Sequence, residues 1–193
     1  MPRRQGRIQG RQFAALLPKG GSALYIQGPS ESSASQQRTI GMHETKPRDV
    51  EVKVLKGNWT EASAYKAVSS WMRLSTSQQS HMDIIAAQND TMAVGAKKAL
   101  QELPDHVTRD RWLSLPYLGI DGLPKTGQAW VRRGLLAGTI VVPSNSGKAL
   151  DMVVQAVQTG SNPAECTRTV PASYPAEAAL AASQAEKARI LSL

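Results

Sequence analysis

Short apolar runs recur along the chain, about 25 to 35 residues apart. Each run is mostly apolar or β-branched and is bounded by Gly, Pro, Asn or Asp. Such runs are typical of strands that are buried on both faces of a sheet. The predicted strands are residues 23–27, 50–55, 83–87, 116–120 and 139–142.

Segments with the spacing of amphipathic helices lie between and after these runs. They cover residues 33–44, 60–74, 91–103, 126–136 and 148–158. Thr60 and Asp90 are candidate N-caps, while Glu61 and Asp151 place negative charge in first turns. A repeated alternation of strand and helix predicts an α/β fold, an open parallel sheet of about five strands in three layers with helices on both faces.

Two further segments flank this alternating region. Residues 6–17 have a helical pattern and lead into Gly20 and Gly21, whereas residues 163–175 are expected to be irregular before an alanine-rich helix at 176–191. We therefore expect a helical lead-in at 1–20, an α/β lobe at 21–160, and a tail with a C-terminal helix at 161–193.

Size and charge permit one domain and do not require a polyanionic partner. The chain has 193 residues, 41% of them hydrophobic, which is enough for one core of roughly 100 to 150 residues plus flanking segments. Its net charge is +8, but the Lys and Arg residues are scattered and aromatic residues make up 5%. A nucleic-acid footprint is usually a clustered basic stripe with stacking platforms, so we expect no nucleic-acid partner.

The residues that usually carry catalysis do not form a recognisable pattern. The histidines, His43, His81 and His106, have no metal-ligand spacing, and Cys166 is the only cysteine. No Gly-x-Ser-x-Gly motif occurs, and the paired glycines precede a strand instead of linking a strand to a helix. We expect a protein that is not an enzyme and that uses neither a metal nor another cofactor.

No apolar run has the length of a membrane span, and the first residues do not resemble a secretion signal. If the sequence is complete, a cytoplasmic location is expected. If it is the later part of a longer exported protein, the location would differ.

Polar and aromatic residues follow the first four predicted strands and should gather at one edge of the sheet, where open α/β sheets bind ligands. Asn89 offers a donor and an acceptor, Asp121 accepts, and Gln36 or Arg38 adds donors, a set that suits a ligand with many hydroxyls. Trp59 could lie flat against a sugar ring. We expect Asn89 to touch the ligand and Asp90 to hold the start of the helix.

Each of these residues also has a purely structural interpretation. Asp90 could serve only as a helix cap, Asp121 with Gly122 is a common turn pair, and a single Trp59 often packs in a core. Their joint placement at one edge favours the binding interpretation.

Several strings, in order over about residues 6–159, together resemble one family. They are Ile26-Gln27-Gly28, Arg38 with Gly41, Ala87-Gln88-Asn89-Asp90-Thr91-Met92-Ala93-Val94-Gly95-Ala96 and Leu118-Gly119-Ile120-Asp121-Gly122, followed by Gly127, Val131, Gly134, Leu136, Thr139 and Ile140. The chain resembles the second of the two lobes of the ribose-type periplasmic sugar-binding proteins of bacterial ABC importers. That fold is shared with the effector domains of lactose-repressor-type regulators.

The resemblance implies roles for the same residues. Asn89 and Asp121 would bind sugar hydroxyls, and Trp59 would stand where an aromatic residue stacks on the ring. Gln36 occupies the position of a sugar-contacting arginine in ribose binders, and Arg38 matches a second arginine two residues later. It also implies a periplasmic location, a sugar or polyol ligand, and ABC importer membrane subunits as partners.

The helix at 148–158 would pack on the other lobe in that family. Its face of Met152, Val153, Ala156 and Val157 would then lack cover, so we expect a homodimer or a separately supplied lobe. Three functions stay open at this stage: a solute-binding component of a carbohydrate importer, the effector domain of a transcription regulator, and a truncated lobe that no longer binds ligand. The sequence does not indicate which sugar is bound.

Overall fold

A computed structural model describes residues 1–78 and 80–191. The helices are α1 Pro2–Leu16, α2 Ser33–Thr45, α3 Glu61–Met72, α4 Ser75–Gln78, α5 Asp90–Gln101, α6 His106–Ser114, α7 Gly127–Arg132, α8 Asn145–Thr159 and α9 Glu177–Leu191. The strands are β1 Gly21–Gln27, β2 Val50–Lys56, β3 Ile84–Ala87, β4 Tyr117–Leu118, β5 Thr139–Val141 and β6 Ala172–Tyr174.

Four of the predicted strands form one parallel sheet in the order β2-β1-β3-β4. β5 continues beside β4 through isolated parallel bridges, Leu118 to Gly138 and Asp121 to Val141. Since neighbouring strands are joined through helices, the connections are the crossovers that a parallel sheet requires. The predicted α/β fold with helices on both faces is confirmed.

Alternate residues of the central strands point into two separate cores. Leu24 and Ile26 of β1 pack with α3 and α5 residues on one face, whereas Ala23 and Tyr25 pack with Phe13 of α1 and other residues of α1 and α2 on the opposite face. All four strand residues are fully buried. The apolar runs of the central strands therefore reflect a sheet that is covered on both sides. The strand β2 differs from the expectation: it lies at the edge of the sheet, and Val50 is its one buried residue.

The backbones of α1 and α2 are in direct contact. A Cβ atom added at Gly6 would lie 2.0 Å from the carbonyl oxygen of Arg38, and one at Gly41 would lie 2.0 Å from that of Arg3. Such close approach needs residues without side chains at both positions. The position of α1 is consequently fixed relative to the residues that α2 carries.

Three elements were not expected from the sequence: β6, α6 and the four-residue α4, which lies beyond the helix predicted at 60–74. The tail at 163–175, expected to be irregular, contains β6, which pairs antiparallel with β5. α6 was not predicted at all; Asp105 caps it by accepting from the Thr108 amide at 2.7 Å. It buries Trp112, whose ring lies edge-on to Trp71 at a centroid distance of 5.7 Å.

α8 begins at Asn145, three residues before the predicted start, and none of its residues is buried. The exposed apolar side chains form a stripe that we call the α8 stripe: Leu150, Val153, Val154 and Val157. Met152 and Ala156, expected on the uncovered face, instead line a groove with residues of the 161–167 segment. Among the described residues, no helix has both the length and the apolar character that crossing a membrane requires.

Candidate functional site

An open cleft of ≈ 370 Å³ lies at the carboxyl edge of the parallel sheet. We call it the sheet-edge cleft; its lining residues are Ser32, Ala34, Arg38, Trp59, Asn89 and Asp121. Four of the five residues expected to bind ligand are therefore brought together, although they come from four different loops or helices. Parallel strands produce this convergence because their carboxyl ends meet at one edge.

Gln36 is the expected site residue that lies outside the lining of the cleft. Its side chain is exposed, and its Nε2 donates to the carbonyl oxygen of Ser30 at 2.8 Å. Gln36 and Arg38 are two positions apart on α2, and residues with this spacing do not share a helix face. The geometry gives Gln36 a turn-stabilising contact, while Arg38 reaches the cleft.

Arg38 projects from α2 with its side chain 11% exposed. Its guanidinium donates to Gln5 Oε1 at 2.8 Å, to the carbonyl oxygen of Gln88, and to Asp121 Oδ1 at 3.5 Å. Burial lowers the pKa of Arg38, and the nearby carboxylate of Asp121 opposes that shift. A guanidinium stays protonated at neutral pH, so a fixed positive charge lies at the floor of the cleft.

Trp59 forms one wall of the cleft. Its backbone has φ 60, a left-handed conformation, and its carbonyl oxygen accepts from Asn89 Nδ2 at 2.8 Å. The ring lies against the chain at Gly28, where an added Cβ would be 2.5 Å from ring carbons. The Arg38 guanidinium carbon is 5.4 Å from the ring centroid, a cation–π contact that further fixes the indole.

Asn89, expected to touch ligand, is also the N-cap of α5. Its Oδ1 accepts from the Met92 amide at 2.8 Å, and its backbone is extended at φ -150 and ψ 167. The expected N-cap, Asp90, is instead the first residue inside the helix, so that expectation is wrong. Capping by Asn89 and its bond to Trp59 leave one amide N–H of the side chain beside the cleft.

Asp90 performs a different role from the one expected, because it joins α5 to the neighbouring strands. The residue is 3% exposed, and its carboxylate accepts from the Gly122 amide at 2.8 Å and from Thr139 Oγ1 at 2.6 Å. Added Cβ atoms at Gly119 and Gly127 would each lie 2.1 Å from its oxygens. Burial raises the pKa of Asp90 to about 7, although both hydrogen bonds favour the charged form.

Asp121 is held at the cleft by its backbone. Its amide donates to the carbonyl oxygen of Ile140 at 3.0 Å, and its carbonyl oxygen accepts from the Val142 amide at 3.0 Å. The backbone of Asp121 has a positive φ of 119. Its side chain is 43% exposed and lines the cleft with its carboxylate facing Arg38. Burial of the carboxyl raises the pKa of Asp121, and Arg38 opposes the shift.

Gln88 was not recognised from the sequence as part of the site. It is fully buried, and its Oε1 accepts from the Gly28 amide at 2.9 Å. Its Nε2 lies within hydrogen-bond distance of Tyr25, Ser35 and Thr39 atoms. Its position directly after a buried strand is the signal that could have identified it, because a polar residue there must find partners.

The arrangement presents one fixed cation, one carboxylate, an amide and an aromatic wall. Such a surface can hydrogen-bond several hydroxyls while an apolar ring face lies against the indole. Within residues 1–78 and 80–191, no cluster of His, Cys, Asp and Glu could hold a metal ion.

Comparisons with known proteins identify the family. A profile of the periplasmic binding protein domain matches residues 2–162. The chain belongs to this family. The sheet-edge cleft accordingly lies in a periplasmic binding protein domain.

Similar proteins of this family are binding proteins. The chain is 30% identical over 182 residues to the D-galactose/methyl-galactoside binding periplasmic protein of Haemophilus influenzae, covering 86% of this chain and 52% of that protein. It is 30% identical over 132 residues to a xylitol-binding protein of Mycolicibacterium smegmatis, covering 67% of this chain and 35% of that one.

A solved fructose-binding periplasmic domain of a hybrid two-component system has the same fold. It superposes with a TM-score of 0.72 at 21% identity, covering 98% of this chain and 62% of that chain. The present chain spans about half the length of the relative from Haemophilus influenzae described above.

Proposed function

We propose that the sheet-edge cleft binds a sugar or polyol without covalent chemistry. The chain would then act as a solute-binding component, or one lobe of such a component, of a carbohydrate ABC importer. The observation that carries this proposal is the convergence of Arg38, Trp59, Asn89 and Asp121 on one open cleft. Membership in the periplasmic binding protein domain family supports it.

The charges of the cleft favour a neutral ligand. Arg38 and Asp121 face one another at 3.5 Å, so a sugar hydroxyl that lies beside the pair could donate to the carboxylate and accept from the guanidinium. A fixed ion pair of this kind would leave one charge uncompensated if the ligand carried charge itself. The indole of Trp59 adds an apolar wall for ring C–H groups.

We infer that the cleft has no catalytic role. Ser32, a hydroxyl residue of the lining, is 3.4 Å from the Ser35 amide and caps α2 through its Oγ. Its oxygen is thus engaged with the helix, and it is not poised beside a general base. This supports binding alone.

Partners and location follow from the same proposal. We propose residues 21–160 as the ligand-binding lobe, a periplasmic location, and importer membrane subunits as partners. A cleft that is open on one side buries less ligand surface than a closed one, so the chain by itself should bind weakly, with a Kd of about 1 mM.

Isothermal titration calorimetry with D-galactose, D-ribose, xylitol and myo-inositol tests the proposal. Saturable binding of at least one of them is expected, and Asp121→Ala and Trp59→Ala should each weaken it about tenfold or more. Asp110→Ala on α6, an exposed carboxylate, is the matched control and should bind as wild type does. A folded protein that binds none of the four compounds at tens of millimolar would overturn the proposal.

A further inference from the structure

Three acceptors hold the guanidinium of Arg38. The carbonyl oxygen of Gln88 and the carboxylate of Asp121 belong to loops at the carboxyl edge of the sheet. Gln5 is the third; it belongs to α1 and is not part of the cleft lining. Its Oε1 accepts from Arg38 Nε at 2.8 Å, which is a shorter contact than the 3.5 Å to Asp121.

The position of Gln5 is determined by buried contacts. The side chain is 3% exposed, and the adjacent Gly6 brings α1 so close to α2 that an added Cβ would lie 2.0 Å from the carbonyl oxygen of Arg38. Gln5 therefore has little freedom to move away from Arg38. The same packing makes the orientation of the guanidinium depend on where α1 lies.

We propose that Gln5 is a positioning residue that sets the plane of the Arg38 guanidinium from beneath the cleft. An arginine has five N–H groups, and the three acceptors named above use one each. The Nε–H bond to Gln5 fixes the rotation of the planar group about its side chain. The remaining N–H groups on Nη1 and Nη2 are then presented in a fixed direction.

The amide chemistry at position 5 suits this role. An amide oxygen satisfies the buried Nε–H without neutralising the cation, whereas an apolar side chain would leave that donor unpaired. A carboxylate would satisfy it but would compete with Asp121 for the charge. Glutamine orients Arg38 and preserves its full charge for the cleft.

The first test does not require a ligand. Hydrogen exchange of the Arg38 side-chain Nε–H, followed by NMR on the full chain, should be slow in the wild type. Gln5→Leu should accelerate it by about tenfold or more, and Gln5→Glu should restore the slow exchange because it keeps an acceptor. Gln9→Leu is the matched control: Gln9 is buried one turn further along α1 and donates to Ala87 at 2.9 Å, so the exchange of Arg38 should be unchanged.

The second test rests on the proposed function. Calorimetric titration with D-galactose and xylitol should show about tenfold weaker binding for Gln5→Leu and no change for Gln9→Leu. Gln5→Glu should weaken binding less than Gln5→Leu does, because it keeps the acceptor for Nε–H but competes with Asp121 for the charge of Arg38. A general loss of helix packing would weaken binding equally in both leucine variants. The contrast between Gln5 and Gln9 therefore separates positioning from stability.

The positioning role of Gln5 and the proposed sugar binding can be contradicted independently of one another. Equal Nε–H exchange in the wild type and in Gln5→Leu would overturn the positioning role, whatever sugars bind. A wild type that binds neither compound would overturn the proposed function, and the exchange comparison would still decide the role of Gln5. Unchanged sugar affinity in Gln5→Leu, where the wild type does bind, would also contradict the inference.

Discussion

The helices α5 and α8 begin in the same way and are packed very differently. Both follow a strand, and both have a polar N-cap: Asn89 accepts from Met92 N at 2.8 Å, and Ser144 accepts from Ser146 N at 3.3 Å. α5 buries seven of its residues, whereas α8 buries none. An apolar stripe in the sequence therefore predicts an amphipathic helix, but it does not show whether another element packs against the apolar face.

The difference arises from position in the fold. α5 connects two strands of the sheet and packs against α3, so its apolar side closes over strands such as β3. α8 follows β5, the last of the parallel strands, and the groove that α8 forms with the 161–167 segment covers only part of its surface. Asn89, the cleft residue that caps α5, is thus held by the helix with a complete core.

The same substitution made once in each helix should give the largest difference in stability. Leu100 of α5 is fully buried, and Leu150 of α8 is 64% exposed. Leu100→Ala should lower the free energy of unfolding by about 2–5 kcal/mol, because it removes core contacts and leaves a cavity. Leu150→Ala should change it by about 0.5 kcal/mol or less. Urea unfolding measures both.

Equal losses in the two leucine variants would contradict this comparison. Such a result would mean that the α8 stripe is covered in solution. Repeating the unfolding over a range of protein concentrations distinguishes cover by a second copy, because the stability of a dimer depends on concentration.

The pH dependence of stability should also distinguish α5 from α8, because α5 has a buried carboxyl, Asp90, in its first turn. Asp90 has a pKa of about 7, raised from 3.8 chiefly by burial, with Asp121 and Arg38 as the charged neighbours. The folded protein binds this proton more tightly than the unfolded chain does. The stabilisation that protonated Asp90 contributes is therefore fully present below about pH 4 and is lost as the pH rises through 7. The free energy of unfolding should fall by about 2 kcal/mol between pH 5 and 7.

Asp90→Asn should flatten that part of the stability profile, because an amide does not titrate. Asp151→Asn, at an exposed position of α8, is the matched control and should leave the profile as in the wild type. Urea unfolding at several pH values measures the slope. A slope that persists in Asp90→Asn would show that another group binds the proton.

A smaller effect is expected at the α8 stripe. Val153 is 57% exposed and lies at the centre of the stripe, so Val153→Lys should leave the stability of the monomer within about 0.5 kcal/mol. If the stripe mediates the self-association expected from the sequence, this variant should abolish the dimer in sedimentation velocity. A wild type that stays monomeric at high concentration would contradict that expectation.

The order of strands and helices could be predicted because each element carries its own signal. The apolar runs predicted β1 to β5, and Thr60 was recognised as the cap of α3, which it forms through the Ser63 amide at 3.2 Å. β6 could not be predicted in the same way, since three residues become a strand only by pairing with β5. α6 has a single buried residue, Trp112, and so lacks an apolar stripe in the sequence.

It was easier to predict which residues line the cleft than to predict what each of them does there. Arg38, Trp59, Asn89 and Asp121 meet as expected because strand ends define their positions. The roles of Asn89 and Asp90 depend on one backbone conformation, the extended φ and ψ of Asn89, which a sequence does not specify. Gln88 and Gln5 act through distant partners, Gly28 and Arg38, which come close only in the folded chain.

Amide and indole NMR spectra recorded during titration with D-galactose and xylitol show which residues respond to each compound. Binding at the sheet-edge cleft predicts that the signals of Asn89, Asp121 and the Trp59 indole N–H move with one saturation curve. The amides of Val153 and Val157 on α8 should stay in place. Saturable shifts on α8 with none at the cleft, or no shifts anywhere with either compound, would contradict the account.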